Sequence, residues 1–145
     1  LNNNSLTHSS CPHLTSGIRN NQTLKRLDLS KNHLEGPHFR DLMEALTTSR
    51  IEELLNNGTL RRLDLSKNNL DGPRFRDLMT ALTTSQIEEL ILQNVKLTDE
   101  YAPFLVSLSK CTTLTGLDLR FNRLNDTSAK YIQDLILAST SLKDV

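Results

Sequence analysis

Three carboxylates, Asp28, Asp64 and Asp118, occupy the same place in three Leu-Asp-Leu triplets. Carboxylates brought together can share acid–base work or hold a metal ion. Here each has basic neighbours and no histidine falls in register with them, so structural or salt-bridged carboxylates are the better reading. The histidines His8, His13, His33 and His38 lack ligand spacing. Cys11 and Cys111 form neither a disulfide framework nor a Cys-x-x-Cys motif, which weakly suits a reducing compartment. No Ser or Cys sits in a nucleophile motif, and no G-x-x-x-x-G-K-[ST] phosphate loop is present. No catalytic, cofactor or metal site is expected. Asn-x-Ser/Thr sequons at Asn3, Asn21, Asn57 and Asn125 matter only in a secreted protein, an origin they leave open. In a chain so rich in Asn, Ser and Thr they are read as incidental.

The bulk numbers point the same way. The 145 residues carry 17 basic and 17 acidic side chains, so the net charge is zero and nothing pulls the whole chain toward nucleic acid or a membrane. Aromatics are 4% and Trp is absent, which disfavours stacking platforms for bases. No apolar run approaches the ~20 residues of a membrane helix, and the first ten residues do not resemble a signal peptide. The dominant residue is leucine, 29 of 145. Leucine packs in defined rotamers and suits a layered, repetitive core.

The leucines repeat. Residues 23–54 and 59–90 agree at 26 of 32 positions, surface residues included, which a recent duplication explains best. Beneath lies a looser pattern, L-x-x-L-x-L-x-x-N-x-L, at Leu24–Leu34, Leu60–Leu70 and Leu114–Leu124. A variant at Ile87–Leu97 has Val95 where the others have Asn, and half-copies lie at Leu1 and Leu142. Equivalent leucines step by 28 (Leu1 to Leu29), 36 (Leu29 to Leu65), 27 (Leu65 to Leu92) and 27 (Leu92 to Leu119). The L-x-L alternation predicts a short strand with one buried face. Asn after each strand can bond free backbone groups of neighbouring turns. A locally different turn is expected at Asn94-Val95.

A helix is predicted after each turn. The stripes are Cys11, Leu14, Ile18; Phe39, Leu42, Met43, Leu46; Phe75, Leu78, Met79, Leu82; Tyr101, Phe104, Leu105, Leu108; and Ile132, Leu135, Ile136. Leu34-Glu35-Gly36-Pro37 marks one helix entry. Strand inside and helix outside, every ~28 residues, gives an α/β curved solenoid with parallel strands on the concave face and helices on the convex face. Residues 1–145 read as one domain of about four to five repeats, cut through a repeat at both ends and without caps. The 36-residue step is read as loss of a repeat's interior, its stub Ile51–Leu54 extending the helical side.

The candidate site is therefore a surface. Outward residues stack in columns: Arg26, Arg62, Glu89, Gly116; then Asp28, Asp64, Ile91, Asp118; then Ser30, Ser66, Gln93, Arg120. Lys25 and Arg61 flank the first column, Lys31 and Lys67 the third, and Phe121 lies just past its strand. The partner-binding set is Lys25, Arg26, Asp28, Arg61, Arg62, Asp64, Glu89, Ile91, Asp118, Arg120 and Phe121. One reading is a groove, basic toward the N-terminal repeats, that docks an acidic patch of another protein. The other is a solvated face whose charges keep the sheet soluble. Phe121 is either a hot-spot anchor or a partly buried loop residue.

The pattern, with Leu-Thr before a helical Cys, an Asn-rich helix end and Leu-Asp-Leu-Ser within Leu1–Asn32, resembles the ribonuclease-inhibitor type of leucine-rich repeat. It resembles the C-terminal repeat region of vertebrate NOD-like receptors. The resemblance implies a cytoplasmic, non-enzymatic ligand-sensing or autoinhibitory module of an innate-immune receptor, whose other domains would be partners. It equally admits an enzyme inhibitor like ribonuclease inhibitor, or a GTPase-activating repeat protein of the Ran type. Ribonuclease inhibitor's targets are strongly basic, so such a groove should be acidic, and Lys25, Arg26, Arg61 and Arg62 oppose that. For the third reading no dedicated catalytic loop is visible. A decayed repeat array without a partner also stays open.

Overall fold

The computed structural model describes residues 1–10, 13–14, 16–17, 21, 23–32, 60–70, 72 and 74–145. Among these, four three-residue strands form one parallel sheet: β1 (Arg26–Asp28), β2 (Arg62–Asp64), β3 (Glu89–Ile91) and β4 (Gly116–Asp118), in sequence order. In each strand the central residue, Leu27, Leu63, Leu90 or Leu117, is the buried one. Leu29, Leu65 and Leu92 follow it inward. The fold is a leucine-rich-repeat solenoid. β1 pairs directly with β2, Leu27 opposite Leu63, so the 36-residue step is a single step of the sheet. The stub Ile51–Leu54, the helix stripe Phe39–Leu46 with its entry at Leu34–Pro37, and Cys11 and Ile18 lie outside the described residues.

The helical side differs from repeat to repeat. α1 (Arg74–Leu82) buries Phe75, Leu78, Met79 and Leu82, the i, i+3, i+4, i+7 stripe of an amphipathic helix. In the next repeat the expected helix is a 3-10 helix, Ala102–Lys110. Its fully buried residues, Ala102, Leu105 and Leu108, recur every three positions, which is the 3-10 period. Tyr101 and Phe104 of the expected stripe are only part-buried. They bridge the repeats instead: Tyr101 meets Phe75 edge-on at 6.5 Å, and Phe104, tilted against Tyr101 at 6.4 Å, lies under the Arg76 guanidinium at 5.9 Å.

α2 (Asp126–Ala138) starts at Asn125, whose side chain accepts from the Thr127 amide at 2.7 Å. That cap sets the phase of the helix. Ser128 and Leu135 are buried, Ile132 is half-buried, and Ile136 is 51% exposed, so Ile136 is not in the core stripe. Ser128 is tolerated inside because its hydroxyl donates to Asp99. α2 packs on the 3-10 helix, and the 3-10 helix on α1.

Two of the turn asparagines, Asn122 and Asn32, both accept and donate across the turn, while Asn68 donates to the Leu29, Leu65 and Ser66 carbonyls. Asn122 accepts from the Val95 and Leu97 amides at 3.0 and 3.1 Å and donates to the Leu92 and Leu119 carbonyls, each at 2.8 Å. Asn32 repeats this, accepting from Asn4 and Leu6 and donating to Leu1, Leu29 and Ser30. Val95 cannot, and the turn changes as expected. The Leu70 amide bonds the Val95 carbonyl itself at 3.0 Å, and Lys96 takes φ 61°.

Candidate partner-binding face

The sheet register brings the outward columns together as the leucine spacing requires. Arg26 lies opposite Arg62, Arg62 opposite Glu89, and Glu89 opposite Gly116. Asp28, Asp64, Ile91 and Asp118 align in the same way. Neighbouring rungs are ~4.8 Å apart, so charges in one column act directly on each other.

Those charges are largely matched within the protein. Arg62 pairs with Glu89 across one rung, and Arg61 Nε pairs with Glu88 Oε1 at 3.3 Å. At the strand-entry side the basic character expected of the N-terminal groove is therefore left to Lys25 and Arg26. Both are exposed, and neither has an ion pair among the described residues. Glu89 stood in the same column as Arg62 in the sequence, and that signal was there to be read.

The carboxylate column is occupied with its own turns. Asp28 Oδ1 accepts from the Ser30 amide at 2.9 Å and hydroxyl at 2.6 Å, and Asp64 holds Ser66 at the same distances. These Asp-x-Ser bonds pull the serines inward. Ser30 and Ser66 are buried, so the third column does not face outward at its first two rungs. Asp118 has no serine. It takes both arms of Arg120, Nε to Oδ1 at 3.0 Å and Nη2 to Oδ2 at 2.7 Å. The Arg120 hydrogen bonds hold the Asp118 carboxyl below its ordinary range, against a partial burial that raises it. Partial burial likewise pushes Asp28 up, but the Ser30 hydroxyl and amide bring it below its ordinary range. Among the described residues no group of three His, Cys, Asp or Glu side chains could hold a metal ion.

Two rungs break the polar columns. Gly116 carries no side chain where Arg26, Arg62 and Glu89 stand, and Ile91 is the apolar member of the Asp column. Together they open a cleft of about 480 Å³ bounded by Arg62, Glu89, Asp118, Arg120 and Asp144. Past the last strand Phe121 is 76% exposed, which settles its placement as outward rather than buried.

The leucine-rich-repeat family model matches residues 20–37, 56–73 and 110–132, the segments that contain the turn residues Asn32, Asn68 and Asn122. The chain carries leucine-rich repeats. No curated protein matches it. The leucine-rich repeats make it a module of the protein-binding kind, with side-chain columns on one face and helices on the other. Among the described residues no helix is long and apolar enough to cross a membrane.

Proposed function

We propose that the outer face of the sheet docks another protein, with the cleft at Gly116 and Ile91 as its centre and Lys25, Arg26, Asp28, Arg61, Arg62, Asp64, Glu89, Asp118, Arg120 and Phe121 around it. The observation that carries this reading is the loss of polar side chains at Gly116 and Ile91, in columns otherwise filled by Arg, Glu and Asp. A face selected only to stay solvated has no use for a half-buried Ile framed by ion pairs. An apolar floor with a charged rim is the anatomy of a protein interface.

The finer reading rests on the resemblance of Leu1–Asn32 to NOD-like receptor repeats. The chain is the ligand-sensing or autoinhibitory repeat region of such a cytoplasmic receptor, whose other domains share its concave face with a foreign ligand. A ribonuclease-inhibitor-like role is disfavoured, because Glu88, Glu89 and Asp118 are engaged by Arg61, Arg62 and Arg120 and leave few acids for a basic target.

The test is affinity capture from cytosolic extract with the full chain and with Gly116→Arg. A Cβ at Gly116 meets only Glu89 Cγ, at 3.8 Å, so the substitution fills the cleft without disturbing the fold. A protein held by the first bait and lost from the second is the expected result. Equal capture by both would move the interface off this face.

A further inference from the structure

The edge where the strands exit is chemically unlike the rest of the face. Asn3, Lys31, Lys67, Asn94 and Phe121 occupy one position in five successive rungs. The Asn3 amide bonds Ser30, Lys31 bonds Ser66, Lys67 bonds Gln93, and Asn94 bonds Arg120, each to the carbonyl, at 2.9 to 3.0 Å. All five residues have left-handed backbone, with φ of 59, 53, 56, 52 and 61°. All five are exposed. The turn requires that conformation whatever residue occupies it, so the side chains form a row at the strand spacing of ~4.8 Å.

The row is basic. No Asp or Glu occurs in residues 29–32, 65–70, 92–98 or 119–125, the turns that leave the four strands. Lys96 and Arg123, which stand beside the row on adjacent rungs, are exposed too. Among the described residues, Lys31, Lys67, Lys96 and Arg123 have no ion pair, whereas Arg61 and Arg62 at the strand-entry edge are paired with Glu88 and Glu89. The two edges of one sheet therefore differ among the described residues: at the entry edge the Arg61 and Arg62 charges are matched and only Lys25 and Arg26 are left, whereas at the exit edge none of these four cations is matched.

Phe121 is the second observation. A bulky aromatic is poorly suited to φ 61°, where Asn is at home, and Asn94 fills the same place one rung away. The fold gains no core packing from a ring that is 76% exposed. Nor is the exposure peculiar to one rung, since Lys31, Lys67 and Asn94, flanked by rungs on both sides, are exposed at the same position.

We infer that this strand-exit row binds an acidic polypeptide segment carrying an aromatic side chain, with the carboxylates on Lys31, Lys67, Lys96 and Arg123 and the aromatic ring against Phe121. This rests on reading the sheet face as protein-binding and names the chemistry of the partner. Cations without an ion pair among the described residues select acidic groups, and Phe121, the one exposed aromatic among the described residues, supplies the anchor. A nucleic-acid strand fits less well. It stacks successive bases on successive aromatics, of which this row has one.

The test is binding of a fluorescein-labelled random Glu–Tyr copolymer to the full chain, followed by anisotropy, beside poly-Glu and a single-stranded oligo-dT. The wild type is expected to bind the Glu–Tyr copolymer about tenfold tighter than poly-Glu. Phe121→Asn should abolish that preference and leave poly-Glu binding unchanged. The pair Lys67→Glu and Lys96→Glu should weaken both polymers, and added salt should do the same. All these positions are exposed, and Asn suits the Phe121 turn, so a melting curve checks that each variant folds. Oligo-dT binding tighter than the copolymer would overturn the inference in favour of nucleic acid. Copolymer binding unaffected by either set of variants would overturn the row itself. A captured partner that remains sensitive to Gly116→Arg while the copolymer fails to bind would remove this inference and leave the docking face standing.

Discussion

The Leu70 amide donates to the Val95 carbonyl at 3.0 Å, whereas one rung later the equivalent amide, Leu97, donates to the side-chain oxygen of Asn122 at 3.1 Å. The two turns meet the same need by different means. With no amide side chain at 95, the peptide after Val95 turns its carbonyl toward Leu70, and Lys96 goes left-handed to permit it.

Val in place of Asn122 is therefore not neutral, although Val95 fills the corresponding place. Asn122→Val is expected to cost about 2–4 kcal/mol, because the amides of Val95 and Leu97 and the carbonyls of Leu92 and Leu119 lose their partner. Adding Arg123→Gly should recover part of the loss by letting residue 123 adopt the conformation of Lys96. Urea unfolding of the single and double variants measures both. Equal stability of the two would show that the turned peptide at Val95 does not depend on φ at the next residue.

Phe121→Asn should stabilise the chain by about 1 kcal/mol, since Asn tolerates the left-handed region far better than a bulky side chain. The midpoint of chemical denaturation reads this directly. A loss of stability would mean that the Phe121 ring packs in a way its exposure does not suggest.

Acid should destabilise the sheet face. The folded-state carboxyls of Asp118 and Asp28 are held below their ordinary range, so each favours the folded state while charged. That contribution is complete above the ordinary carboxylate pKa and drains away as pH falls through the lowered folded value. Asp118→Asn should thus narrow the stability difference between about pH 6 and the acid limb, as followed by melting temperature. A variant whose acid limb overlays the wild type would assign the sensitivity elsewhere.

The ion pair between Arg62 and Glu89 is half-exposed and should contribute little to stability. A double-mutant cycle is expected to give a coupling of no more than about 1 kcal/mol. Phe75→Ala, by contrast, empties a fully buried site and should cost about 3–5 kcal/mol. The contrast separates what holds the solenoid together from what decorates its face.

Much of this was legible from the residues alone, for a definite reason. One leucine per strand must face the core, so the spacing of Leu27, Leu63, Leu90 and Leu117 sets the register, and the outward columns follow from it. The Val95 turn was legible because a single missing amide side chain has to be replaced. The 3-10 helix was not, since Tyr101, Phe104, Leu105 and Leu108 also satisfy the α-helical stripe. Only packing selects Ala102 over Tyr101 as the buried residue. The inward serines were missed because L-x-L alternation was extended one residue too far. The Asp-x-Ser pairs at Asp28–Ser30 and Asp64–Ser66 carried the signal, as a side-chain bond that closes a turn. Charge matching was missed by counting Arg61 and Arg62 without the Glu88 and Glu89 of the next rung.

The central claim is that a partner protein lies across the sheet face. A photo-reactive residue placed at Ile91 on that face, or at the exposed Lys130 on α2, tests it most directly in extract that contains the captured partner. The account predicts a cross-link from position 91 and none from 130. A cross-link from 130 alone would contradict it and assign binding to the helical side.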